Sequence, residues 1–495
     1  MIALVIIVSA LSIALHRRGL TWGDDYTLYL RQARSLIDGN IGQVIADNRF
    51  NVDNAAKPSF SPYVYPWGWP LLLAPFTRLW GDDYENLKLL GVACWCAFLV
   101  LFEQILRPRL GRAVAFWVVA SLAFTLAYLR YTNALLSEIP YMLVVAFALW
   151  WLDRCRSGHP LDGATRRQLI MLGLLAVAAF NVRREGVALV VAIAMTQVVD
   201  LRGRWHVPAR DAIDWRHVAT PYTTFIAGAI GFQLLLPSAL MPYYPNAGLH
   251  QTWHKLGRSF RDSFESQLGF SGMSGWLVIV VLGVVLIGVV ARLRRHLADD
   301  ISLAVFGVLS LALVGMIPAV AARYTLAVTP VALYFGAQGV LALARRLRIG
   351  ALPRLRLTFA QLVTCGLFLA TTILHAGQLP VEIRNTQRLN DSGELEDGPL
   401  RPYAVDAFDA IREHTRAADV VAFFKARSMT YFTGRRAVQS SDLDIVLQRA
   451  DYFLMRRDST QSQPLISTEE AAALQLASVW SSDEWVLWRI PHAAG

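Results

Sequence analysis

Charge is scarce in this 495-residue chain: Asp, Glu, Lys and Arg make up 17% of it, against 55% hydrophobic residues. A soluble chain of this length rarely carries so little charge, so composition points to embedding in a membrane. Cysteine is scarcer still. The four thiols, Cys94, Cys96, Cys155 and Cys365, form neither a disulfide framework nor a zinc pattern. Cys94 and Cys96 stand two apart on an expected helix and so point to different faces. No Gly-rich phosphate loop occurs, and no clear repeat relates the two halves. The net charge of +10 has no basic stripe or tail behind it. Its arginines recur in short clusters between apolar runs, which is the positive-inside pattern and excludes a nucleic-acid surface.

What the chain has in abundance is long apolar segments. They fall near 1–16, 87–106, 113–129, 139–152, 168–182, 186–200, 218–240, 275–291, 302–320, 324–344 and 358–376. At roughly 20 residues per span they predict about eleven transmembrane helices, several of them short. The first, Met1 to His16, lacks a basic leader and a small-residue cleavage site, so it reads as a retained anchor. The Pro-interrupted stretch Pro70 to Trp80 reads as re-entrant or interfacial. Arginines cluster in every second loop: Arg107 to Arg112, Arg154 to Arg167, Arg202 to Arg216, Arg292 to Arg295 and Arg345 to Arg356. That bias places the N-terminus in the cytoplasm and the C-terminal end outside.

Two outer loops are then long, 17–86 and 241–274. In the second, Trp253, Leu256, Phe260, Phe264 and Leu268 recur at helical spacing, between Lys255, Arg258 and Arg261. This describes an amphipathic helix, lying either on the membrane or on the protein's own outer domain. Residues 1–376 are expected to form the membrane domain and 377–495 a small soluble α/β domain. Within the latter, Val420–Phe424, Tyr452–Met455 and Trp485–Ile490 read as strands, and 404–416, 442–449 and 468–476 as helices.

Ionisable residues concentrate at the expected outer ends of helices. Asp24, Asp25, Glu138, Arg183, Arg184, Glu185 and Arg323 come from four separate loops on that face. Short turns carrying both signs, such as Ser137-Glu138 and Asn181 to Glu185, suit an anionic substrate and a proton transfer. They equally suit structural ion pairs. The Asp24-Asp25 pair permits a divalent metal without requiring one, and otherwise serves as base and orienter or as a solvated turn. Asp82-Asp83 repeats the wording and reads as the solvated kind. His250 and His254 lie four apart, a metal-capable spacing, but no acidic residue stands between them, and interfacial anchoring fits better.

Five pieces in order resemble the GT-C glycosyltransferases. They are Trp22-Gly-Asp-Asp-Tyr26, Tyr65-Pro-Trp-Gly-Trp-Pro70, Ser137-Glu-Ile-Pro140, Val182-Arg-Arg-Glu-Gly186 and Arg323-Tyr324. The nearest branch is the protein mannosyltransferase and aminoarabinose transferase group. Three pieces depart from that pattern: Asp25 stands for Glu, Trp67 for Pro and Arg184 for Pro. The resemblance implies a helical polytopic fold and an enzyme that moves sugar from a polyprenyl-phosphate carrier to an acceptor hydroxyl outside the membrane. The acceptor class is glycan, lipid or protein, and the setting the inner (plasma) membrane of a cell envelope. It further implies Asp24 as general base with Asp25 orienting it, and Arg183, Arg184 and Arg323 at the donor phosphate. Tyr26, Tyr65, Trp67, Glu138, Glu185, Tyr324, His250 and His254 are the expected substrate contacts. Two other classes stand beside this one, a secondary transporter and a catalytically silent polysaccharide-export partner on the same fold. Outer-end charges and the lack of a repeat weigh against the transporter.

Overall fold

The computed structural model describes residues 1–55, 62–157, 159–202, 213–240, 275–315, 322–346, 358–458 and 461–491. The expected surface helix, with His250 and His254, lies outside them. The chain packs as two compact units. One comprises the described parts of Met1–His16, Lys88–Leu236 and Ala247–Gln387; the other those of Arg17–Leu87, Pro237–Asn246 and Arg388–Gly495.

Over the described residues, each of the apolar runs contains a helix. They become Ile2–Ala14, Tyr84–Leu110, Arg112–Ala123 with Leu126–Tyr131, Glu138–Cys155, Arg166–Val182 and Val187–Arg202. The series continues with Thr220–Leu235, Gly275–Arg295, Leu297–Gly315, Thr329–Arg346 and Phe359–Asp391. Among the described residues, 4 of these helices are long and apolar enough to cross a membrane: Tyr84–Leu110, Trp276–Arg295, Leu297–Gly315 and Phe359–Asp391. Their outer faces are apolar as lipid requires, with Ile279, Leu286, Leu367 and Ile373 all exposed.

Small residues set the closest helix approach in the first unit. A Cβ on Gly288 would fall 1.8 Å from the Phe335 carbonyl oxygen, and one on Gly339 would fall 2.0 Å from that of Val284. Helices Gly275–Arg295 and Thr329–Arg346 therefore touch backbone to backbone, the contact that glycine allows between membrane helices. Elsewhere the basic clusters tie helices together. Arg109 grips Asp153 through two bonds of 2.6 and 2.8 Å and reaches Asp300 at 3.1 Å. Asp300 is fully buried and also binds Arg292 and, at 2.6 Å, the Tyr334 hydroxyl. Arg156 holds Asp200 in the same forked way, at 3.0 and 2.9 Å. Such buried forks exchange hydration for fixed geometry.

The second unit centres on a five-stranded mixed sheet. Its strands are β1 Val420–Ala422, β2 Arg436–Val438, β3 Tyr452–Arg456, β4 Ala477–Ser481 and β5 Trp485–Arg489. They are ordered β2-β1-β3-β5-β4, parallel on the β1 side and antiparallel from β3 to β4. Alternation sorts β5 onto two cores: Trp485 and Leu487 pack with Phe408, Phe423 and Phe424, whereas Val486 and Trp488 pack with Phe453 and Met455. Helix Ala426–Thr433 and strands β2 and β4 carry no pattern long enough to have been expected.

The polar first loop belongs to this unit. It forms helices Asp24–Asp38, Ile41–Asp53 and Gly68–Trp80, the last running through Pro75. Asn51 accepts from the Ala437 N–H of β2 and donates to the Thr430 hydroxyl, which occupies part of an open sheet edge. Trp22 enters the aromatic core, with ring centres 5.1 Å from Phe424 and 5.8 Å from Phe423.

Candidate active site

Two clusters of ionisable side chains stand out, one in each unit. In the second unit Gly23 caps helix Asp24–Asp38, so Asp24 and Asp25 occupy its first turn, where backbone N–H groups favour negative charge. Their surroundings differ sharply. Asp25 keeps some exposure, and its Oδ1 accepts a 2.6 Å bond from the Tyr65 hydroxyl. Arg427 lies 3.8 Å from the same oxygen and donates to Tyr65 at 3.1 Å. This guanidinium is itself buried, anchored by Asn48 at 3.0 Å and the Pro62 carbonyl at 2.8 Å.

Asp24 is buried, and among the described residues no side chain donates a hydrogen bond to it; the Ser428 N–H is the donor turned toward its carboxylate. Burial raises its carboxyl above the usual range; Lys425, Arg427 and the Ser428 N–H pull the other way without restoring it. A carboxylate held in this state is a stronger base than a solvated one. Tyr26 is buried with its hydroxyl on the Thr21 carbonyl, and Trp67 is buried with its indole N–H on the Pro237 carbonyl. Both are packed within the unit as it stands, not presented at a surface. Arg427 is the residue that sequence reasoning missed. It sits on the unexpected helix Ala426–Thr433, about four hundred residues from the pair it serves, and one arginine among 47 basic residues gives no signal.

In the first unit, Glu138 opens helix Glu138–Cys155, Arg183 ends helix Arg166–Val182, and Glu185 follows in a single 3-10 turn. Arg183 bridges the two carboxylates, 2.9 Å from Glu138 and 2.9 Å from Glu185. Arg323 reaches Glu138 at 3.6 Å. The Tyr324 ring lies 5.4 Å from the Arg183 guanidinium and 5.2 Å from that of Arg323, within cation–π range. Burial opposes the charge on Glu185, but Arg183 outweighs it and holds the carboxyl below its ordinary value. These residues line a small open pocket. Arg184, expected beside Arg183 at a phosphate, is absent from its lining. It stacks 4.3 Å over Phe180 and donates to that residue's carbonyl, and burial pushes it down to about 10.

Among the described residues no group of three or more His, Cys, Asp or Glu side chains is placed to hold a metal ion. Asp82 of the second acidic pair binds Arg34 and faces Tyr84 and Tyr431, a tie between loop and domain.

The fold, many helices with a small sheet-bearing unit, is shared with two solved structures and agrees with the helical polytopic fold that the motif resemblance implies. The chain is similar over 98% of its length to ArnT from Cupriavidus metallidurans bound to undecaprenyl phosphate, covering 96% of that protein at 12% identity and a TM-score of 0.55. It is also similar to the oligosaccharyltransferase AglB from Archaeoglobus fulgidus in complex with an inhibitory peptide and a dolichol-phosphate. That match covers 92% of this chain and 69% of the other at 12% identity, with a TM-score of 0.52. A further structure of the archaeal enzyme holds zinc and sulfate. No protein-family model matches the sequence, and no curated protein matches it.

Proposed function

We propose that this protein is a membrane glycosyltransferase that takes a sugar from a polyprenyl-phosphate donor and passes it to an acceptor hydroxyl on the extracytoplasmic face. The observation that carries the reading is the asymmetry of the acidic pair: Asp25 is tied by Tyr65 and Arg427, while Asp24 is buried and takes no side-chain hydrogen bond among the described residues. That is the arrangement of a base beside its orienter. It occurs on a fold shared with one structure bound to undecaprenyl phosphate and another in complex with a dolichol-phosphate.

In this reading Asp24 takes the proton of the acceptor hydroxyl as its oxygen attacks the anomeric carbon. The bond from that carbon to the phosphate oxygen breaks, the configuration inverts, and the polyprenyl phosphate leaves with the electron pair. Within the first unit Arg183 and Arg323, fixed by Glu138 and Glu185, are the cations suited to the charge of a phosphate group. The donor bond is already activated, so the reaction needs no nucleotide.

The test is sugar transfer from a labelled polyprenyl-phosphate donor panel, comparing wild type with Asp24→Asn in nanodiscs. Wild type is expected to consume at least one donor, and the variant to lose about 10²–10⁴-fold in turnover while remaining folded. Full activity in Asp24→Asn would remove the base. Transport of a solute into vesicles, with no donor consumed, would favour a transporter.

A further inference from the structure

In a direct displacement the base and the departing phosphate act on opposite sides of one anomeric carbon. A cation serving that phosphate must therefore stand about a sugar's width from Asp24. Among the described residues of the second unit, Lys425 and Arg427 are the cations that act on Asp24 through space. They are not equivalent. Arg427 is 3% exposed, and Asn48, Tyr65 and the Pro62 carbonyl engage its guanidinium. Lys425 stands just before helix Ala426–Thr433 and is partly exposed. Among the described residues no hydrogen bond or ion pair ties its ammonium. Its neighbours fix the segment that carries it. The Phe424 ring packs 5.1 Å from Trp22, and the Ser428 hydroxyl donates to the Gly23 carbonyl at 3.4 Å. The backbone is thus held against the start of helix Asp24–Asp38, while the flexible four-carbon stem leaves the ammonium able to reach a ligand.

The charges of this cluster say when an anion is welcome. With both aspartates ionised, the carboxylates of Asp24 and Asp25 balance the cations of Lys425 and Arg427. Asp25 keeps Arg427 and Tyr65 throughout. Once Asp24 takes the acceptor proton, Lys425 loses the anion that faces it, and the cluster is left with one surplus positive charge. In the same step the phosphate gains negative charge as the bond to the anomeric carbon breaks. An interaction that strengthens in this order favours the transition state over the bound donor.

We propose that Lys425 is the phosphate-binding cation of the base's own cluster, facing Asp24 before transfer and the departing polyprenyl phosphate after it. This deepens the transferase reading and rests on it. It also brings a residue of the C-terminal domain into the site, one that belongs to none of the five sequence motifs.

The test is titration calorimetry of geranyl phosphate and of inorganic phosphate against the full-length chain in phosphatidylcholine nanodiscs, with empty discs subtracted. Geranyl phosphate should bind wild type more tightly than inorganic phosphate, because its chain also enters the bilayer. Lys425→Met and Lys425→Gln should each weaken the ester about ten- to hundredfold, the worth of one charge-assisted hydrogen bond. Lys425→Arg, which keeps the charge, should retain most of the binding, and thermal unfolding checks that each variant is folded. Equal binding by wild type and the two neutral variants would overturn the assignment, as would no binding of the ester by wild type. Equal affinity for the ester and inorganic phosphate would mark a free-phosphate site and overturn the link to a lipid donor. Binding that depends on Lys425, without transfer from any lipid donor, would keep the phosphate site and remove the transferase reading. Transfer that is lost in Asp24→Asn but unchanged in Lys425→Met would keep that reading and remove Lys425 from it.

Discussion

Asp24 carries the sharpest conflict at the scale of single residues. Its carboxyl is raised by burial, so its neutral form is the one the folded state favours. Its contribution to stability is therefore full below the ordinary carboxylate range and lost as pH climbs through its raised value. The proposed role as a base needs the opposite, ionised form. The acid limb of kcat/KM is accordingly expected above the usual Asp value of about 3.9, and a pH–rate profile checks it. Asp24→Asn should unfold at a higher temperature than wild type at neutral pH, with the gap closing in acid. Arg427 bears on the same balance, because its cation favours ionised Asp24 while its guanidinium fixes Tyr65 and Asp25. Arg427→Met should move the acid limb to still higher pH and lower kcat more than it raises KM. Arg427→Lys should recover the limb but only part of kcat, since an ammonium cannot reach Asn48, Tyr65 and Pro62 together. A purely structural role would leave the limb where it was.

At the scale of elements, the helices of the first unit are joined by two unlike devices. One is backbone contact at Gly288 and Gly339, where any side chain must push the helices apart. Gly339→Leu should lower the unfolding temperature sharply, whereas the same change at Gly283, which has nothing within 4 Å, should do little. The other is the buried ion cluster of Arg109, Asp153, Asp300 and Arg292. Removing Asp300 strands the Arg292 guanidinium and leaves Arg109 to Asp153, and breaking a buried pair in this way costs about 3–5 kcal/mol. Asp300→Ala is thus expected to fold poorly, and Asp300→Ala with Arg292→Met to recover part of the loss, both measured by thermal unfolding in detergent. These arginines entered the sequence reading as topology signals. The carboxylates that engage them lie 44 and 191 residues from Arg109, beyond any local pattern.

For the whole molecule, the compact units do not follow the order of the chain: the second one joins residues 17–87 to 388–495. Trp22 supplies an aromatic member of the sheet domain's core, and Asn51 covers the edge of β2. The segment 388–495 expressed alone should therefore bind a hydrophobic dye and give little soluble protein, and co-expression with 17–87 should reverse both. The apolar runs, the alternation of three strands and the order of the motifs were legible because each is written in consecutive residues. Hydrophobic period and length suffice to specify a helix or a strand and to mark which turns carry charge. By themselves they determined a mostly helical protein with apolar spans and a small C-terminal sheet, and a short list of candidate acids and cations. Only the tertiary structure decided which of the two adjacent aspartates is buried, and that Arg427 reaches the other. It also decided that Arg184 stacks on Phe180, apart from the pocket, and that Tyr141 and Ser310 line that pocket. Burial and pairing depend on what the rest of the chain brings alongside, which no short window of sequence contains.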